Sequence, residues 1–83
     1  MFTVTLYGTP SCRRYQKMRA VILAEAQKLD KQIRLVEIGD TESLSKTNPL
    51  SLPRLYVGDE LLASQNPPKP EAAAQALRKI MNL

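Results

Sequence analysis

The chain carries a single cysteine, Cys12, and no histidine. Without imidazole, Ser–His and Cys–His nucleophile pairs, histidine acid–base catalysis and histidine metal sites are excluded. Without a second thiol, one chain can form neither an internal disulfide nor a four-thiolate zinc site. What remains is the chemistry of one sulfur. A lone cysteine is most often a small buried hydrophobe, but the surroundings of this one change the reading. The segment Gly8-Thr9-Pro10-Ser11 breaks the chain just before it, and Arg13, Arg14, Lys17 and Arg19 crowd the residues after it. A helix starting at Cys12 presents unpaired N–H groups and the positive end of its dipole to the sulfur. Together with the two arginines these favour the thiolate, which is the nucleophilic form. The basic cluster fits an acidic partner surface or a carboxylate-bearing thiol, and otherwise a plain solvated face.

Hydrophobic periodicity supplies the elements that would hold Cys12 in place. Phe2, Val4 and Leu6 alternate with Thr3, Thr5 and Tyr7, which predicts a strand over Met1–Gly8. Cys12, Tyr15, Met18, Ile22, Ala26 and Leu29 recur at helical spacing and predict an amphipathic helix, with Thr9 or Ser11 available as its cap. After the turn Asp30-Lys31-Gln32, the β-branched run Ile33–Ile38 predicts a second strand. Gly39-Asp40-Thr41 reads as a stop and a cap for a short helix over Thr41–Thr47, ahead of Asn48-Pro49. Leu52-Pro53 forces extended backbone, and Arg54–Val57 follows as a strand. Gly58-Asp59 is a hairpin signal that returns the chain antiparallel over Glu60–Ala63. Asn66-Pro67-Pro68-Lys69-Pro70 leads into a closing helix over Glu71–Met81, with Ala73, Leu77, Ile80 and Met81 on one face. The expected order is β-α-β-α-β-β-α, an α/β architecture whose four-stranded mixed sheet is flanked by three helices. Strands joined through helices are expected to run parallel by right-handed crossover.

Two segments now stand in a suggestive relation. Thr9-Pro10-Ser11-Cys12-Arg13-Arg14-Tyr15 joins the first strand to the first helix, and Leu52-Pro53-Arg54-Leu55-Tyr56-Val57 opens the third strand. Over essentially its whole length the chain resembles the thioredoxin/glutaredoxin superfamily, which implies a thioredoxin-like fold. That family carries Cys-x-x-Cys at this helix start and a cis-proline opposite it. By this resemblance Cys12 matches the attacking cysteine, Tyr15 stands at the position of the resolving cysteine, and Pro53 matches the cis-proline. The implied activity is monothiol thiol–disulfide exchange in which an external thiol resolves the adduct. Cys12 would be its nucleophile. Pro10, Ser11, Arg13, Arg14, Tyr15, Leu52 and Pro53 would form the surface for a peptide or thiol substrate, with the Leu52 main chain as a docking edge. The sequence departs from the family at several points. Ser11 replaces the tryptophan of thioredoxins, and Cys12-Arg13-Arg14-Tyr15 replaces the Cys-Gly-Phe-Ser of cluster-carrying monothiol glutaredoxins. Ala63-Ser64-Gln65-Asn66-Pro67 lacks the Gly-Gly turn that holds glutathione. Glutathione is left as one ligand the resemblance allows, and no metal or other cofactor is expected. The alternatives are a redox-inactive peptide-binding module and a dimer linked through Cys12.

Length and composition agree with one small domain over residues 1–83. A chain of this length buries only about 60–65 % of its unfolded surface, so large multi-substrate enzymes are excluded. Twelve basic and eight acidic residues give a net charge of +4. That excess is too small and scattered to indicate nucleic acid. No apolar run reaches the roughly 20 residues of a membrane span, and no secretory leader is visible. The expectation is a cytoplasmic protein, monomeric or weakly dimeric, whose partner is a thiol- or disulfide-containing protein or a small thiol.

Overall fold

A computed structural model describes residues 2–30, 32–46 and 52–82. Its elements are β1 (Phe2–Tyr7), α1 (Arg13–Lys28), β2 (Ile33–Ile38), α2 (Thr41–Ser45), β3 (Arg54–Val57), β4 (Glu60–Ser64) and α3 (Pro70–Met81). The four strands form one open mixed sheet in the order β2-β1-β3-β4. β1 and β2 are parallel, with Val4 opposite Leu35 and Leu6 opposite Glu37. β3 is antiparallel to β1, and β4 is antiparallel to β3.

The direction of β3 corrects the sequence expectation that every strand reached through a helix runs parallel. The physical reason is length. α2 has five residues and advances only about 7–8 Å at 1.5 Å per residue. The six residues of β2 span about 20 Å. α2 by itself does not return the chain along the sheet, and β3 begins at the end where β2 finishes, with Arg54 and Ile38 both paired to Tyr7, and runs the other way.

One face of the sheet carries the core. Val4, Leu6, Leu55 and Val57 are at most 1 % exposed and pack with Tyr15, Met18, Ile22 and Ala26 of α1 and Ala73, Leu77 and Met81 of α3. The opposite face presents the alternate residues of β1 and β3, including Thr5, Tyr7, Arg54 and Tyr56. In β4, Leu61 lies across from Tyr56 on this open face, and a register irregularity beyond that pair sets Ala63 in place of Leu62 across from Leu55. Leu61 is consequently 49 % exposed. Helix α3 starts with Pro70 in its first turn and ends on Asn82 in the left-handed conformation, with Arg78 and Lys79 in its last turn complementing the dipole. Among the described residues, no helix is long and apolar enough to cross a membrane.

The start of α1 differs from expectation. Neither Thr9 nor Ser11 supplies a side-chain cap; the N-cap is Cys12 itself, in extended backbone (φ −72°, ψ 130°) and with no side-chain cap hydrogen bond. The Thr9 carbonyl instead accepts from the Cys12 N–H at 2.9 Å, tightening the loop just ahead of the helix. Asp40 does cap α2: its carboxylate accepts from the Ser43 N–H at 2.9 Å. α2 stops at Ser45 with Lys46 as its C-cap, short of the expected Thr41–Thr47; Thr47, Asn48 and Pro49 lie outside the described residues.

Candidate functional site

The last residues of β1 and β2 and the first of β3 meet at one end of the sheet. Gly8 donates its N–H to the Ile38 carbonyl at 3.1 Å, extending the β1–β2 pairing by one residue. Gly8 has φ +152°, and a Cβ there would lie 2.9 Å from Cδ2 of Tyr15 and 3.1 Å from Cβ of Pro53. Tyr15 and Pro53 therefore close on the Gly8 backbone from α1 and from the start of β3. On the β2 side, a Cβ on Gly39 would come within 3.0 Å of the Gly8 carbonyl oxygen and 3.3 Å of the Pro10 ring. The Leu52–Pro53 peptide bond is cis. Pro53 is buried, and its carbonyl accepts from the Gln65 N–H at 2.9 Å.

Cys12 stands above this junction. Its thiol is half-buried and packs against the edge of the core. The Cys12 carbonyl accepts the Gln16 N–H at 3.0 Å, and the Gln16 side-chain amide donates to the Pro10 carbonyl at 3.1 Å. Those bonds tie the Thr9–Cys12 loop to the helix it introduces. The first turn of α1 contains no acidic residue, while Pro10, Ser11, Arg13, Arg14 and Lys17 are all exposed. Among the described residues, the ion pairs involve Arg19, Lys28 and Lys79 and none of Arg13, Arg14 or Lys17. The sulfur thus sits at the N-terminal end of α1, and two exposed arginines, Arg13 and Arg14, follow it in the chain.

Tyr15 has a different setting from its neighbours in the sequence. It is 2 % exposed, and its hydroxyl donates to Oε1 of Glu37 at 2.8 Å. A phenol has one hydrogen to give, so in this arrangement it is not donated to the Cys12 sulfur. The same Oε1 accepts from Nε of Arg19 at 3.1 Å. Arg19 is thereby drawn out of the basic cluster that the sequence groups with Arg13, Arg14 and Lys17. Neither Glu37 nor this use of Arg19 is anticipated from the sequence. The available signal is parity: Glu37 interrupts an apolar strand at the helix-facing register shared with Ile33 and Leu35.

Burial, and next the hydrogen bond to Glu37, raise the Tyr15 phenol above its ordinary value of 10.0. The folded chain keeps this proton to higher pH than the unfolded chain. The associated stability is complete below pH 10.0 and is lost as pH rises from there toward the folded value. Tyr15→Phe is expected to lower stability near neutral pH by about 1 kcal/mol. In paired urea denaturations, the gap between wild type and variant should narrow as pH is taken above the phenol's ordinary range. A gap independent of pH would show that the hydroxyl proton is not held by the fold.

Among the described residues, no group of three or more His, Cys, Asp or Glu side chains could hold a metal ion. The structure brings Pro10, Cys12, Tyr15 and Pro53 to the Gly8 end of the sheet, with Ser11, Arg13 and Arg14 exposed around the thiol. Leu52 is half-buried beside them. Tyr15 and Pro53 meet this site from below, as buried walls. No protein-family model matches the chain, and no curated protein matches it either.

Proposed function

We propose that the chain is a thioredoxin-like domain that carries out monothiol thiol–disulfide exchange through Cys12. The observation that carries this reading is the position of Cys12: a half-buried thiol forming the N-cap of a 16-residue helix, in a first turn without acidic residues. Support also comes from the strand order β2-β1-β3-β4 and from Pro53, packed against Gly8 at the same end of the sheet.

In the forward step the Cys12 thiolate attacks one sulfur of a disulfide R–S–S–R′. A Cys12–S–S–R bond forms as the R–S–S–R′ bond breaks, and R′–S⁻ leaves with the electron pair and takes a proton from water. Tyr15 cannot resolve the adduct, so a second thiolate from solution or from a partner attacks the R sulfur. That step releases Cys12 as thiolate and leaves R in a new disulfide with the resolving thiol. Arg13 and Arg14 favour the negative charge at sulfur in both steps. The Leu52 main chain supplies the edge along which an extended substrate lies.

Incubation with glutathione disulfide, followed by intact mass, tests the proposal. A Cys12-dependent mixed disulfide should form at least about tenfold faster than on free cysteine at the same pH, disappear in Cys12→Ser and be reversed by excess glutathione. A rate no faster than that of free cysteine would defeat the exchange reading and favour a peptide-binding module instead. The burial of Tyr15 against Glu37, which fills the resolving position with a structural residue, is the observation on that side.

A further inference from the structure

On the sheet face turned away from α1 and α3, Thr5, Tyr7, Tyr56, Gly58 and Asp59 line an open cavity of about 280 Å³. It runs from the end of β1 to the hairpin turn between β3 and β4, and its lining does not include Cys12. We propose that this cavity binds an organic cation bearing a guanidinium or primary ammonium group.

Three features of the lining lead to that class. First, the rings of Tyr7 and Tyr56 meet edge to face, 5.7 Å between centroids and 70° between planes. Two rings so inclined make a corner, not a flat stacking platform of the kind a nucleobase uses. A ring face with its negative quadrupole attracts a compact cation brought close to it. Second, Asp59 is the one charged side chain in the lining. It is exposed in the turn and, among the described residues, forms no ion pair. Its neighbour Glu60, by contrast, is held by Lys79 at 3.0 Å. Third, the remaining side-chain groups are the hydroxyls of Thr5, Tyr7 and Tyr56, all of which can accept from N–H donors.

A cation, Arg54, stands near the cavity without lining it. Arg54 turns Nη1 toward the Tyr56 hydroxyl at 3.5 Å, and its Nε is buried without a partner. Arg54 opposes a second positive charge through space and would help a negative one. Its substitution therefore separates the two ligand charges by the sign of the effect.

The probe is agmatine, which carries both cationic groups, titrated at millimolar concentration into the intact chain while aromatic proton resonances are recorded. Three tyrosines and one phenylalanine keep that region of the spectrum simple. Saturable shifts of the Tyr7 and Tyr56 ring protons are expected. Asp59→Asn, in an exposed turn, should weaken binding about three- to tenfold, Arg54→Gln should tighten it, and Cys12→Ser should leave it unchanged. A second arm uses an acetylated and amidated Gly-Arg-Gly peptide: binding as tight as that of agmatine assigns the cation to a protein side chain, and weaker binding assigns it to a free amine. Absence of saturable shifts, or indifference to Asp59→Asn, would overturn the proposal. So would preferential binding of inorganic phosphate that Arg54→Gln weakens. Because Cys12 takes no part, this test stands apart from the test of thiol exchange.

Discussion

Gly8→Ala is expected to destabilise the protein by about 3 kcal/mol or more. Two effects add at this position. The backbone has φ +152°, a value that disfavours any side chain. The new methyl group would also lie 2.9 Å from the Tyr15 ring and 3.1 Å from Pro53. Neither neighbour has room to retreat, because Tyr15 is 2 % exposed and Pro53 is buried. Gly58→Ala separates the two contributions. Gly58 also has a positive φ, of +62°, but a Cβ there meets only Cγ2 of Ile80, at an ordinary 3.5 Å. Its loss should be confined to the conformational penalty of about 1–2 kcal/mol. Urea midpoints for both variants provide the check. Equal losses would mean that the contact of Tyr15 and Pro53 with Gly8 is looser than described. On the proposed function, exchange at Cys12 should slow in Gly8→Ala as well, because the displaced Tyr15 lies one turn below the thiol.

Tyr15→Cys is the second large effect, and it acts in opposite directions on stability and on chemistry. Loss of the buried ring is expected to lower the stability of the reduced protein by about 3–5 kcal/mol, as for other aromatic truncations. It also leaves Glu37 with Arg19 as its remaining partner. On the proposed function, the same substitution gives Cys12 a second thiol three residues along α1. The pair should then close to an internal disulfide in a glutathione redox buffer, with insulin-reducing activity appearing. The oxidised variant should be more stable than the reduced one. Intact mass, showing loss of two hydrogens, together with urea midpoints in both redox states, reads out each part. A reduced variant that folds yet never closes the disulfide would contradict an exchange scaffold. A stability equal to that of Tyr15→Ala in both states would do the same.

Much of the architecture can be read from local pattern. β2 and β3 occupy the residues that periodicity assigns to them, β4 and α3 differ from expectation by one residue at one end, and α1 is a residue shorter at each end. The amphipathic stripe through Tyr15, Met18, Ile22 and Ala26 is the buried face of α1. These features are legible because they depend on spacing within a few residues. The direction of β3 is not legible in the same way. It depends on how far a five-residue helix travels relative to a strand, a comparison between elements. Glu37 is harder still, since its donors lie 22 and 18 residues away on another element. In sequence it is only a polar residue in an apolar run. Gly8 presents itself as a turn, and only the approach of Tyr15 and Pro53 reveals why no side chain fits. The placing of Cys12 at a helix start was readable from Pro10 and Ser11 before it and the periodicity after it. The depth of Tyr15 was readable from that same stripe, but the destination of its hydroxyl was not.

One carboxylate oxygen, Oε1 of Glu37, receives both the Tyr15 phenol and the Arg19 guanidinium. Glu37 belongs to a rim strand that has a lateral neighbour on one side only, and rims are where sheets begin to fray. When that rim peels, both donors lose their shared acceptor in the same event, while Tyr15, Met18 and Ile22 still hold α1 on the core. A single oxygen on the sheet's border thus ties two successive turns of α1, through Tyr15 and Arg19, to the outermost strand.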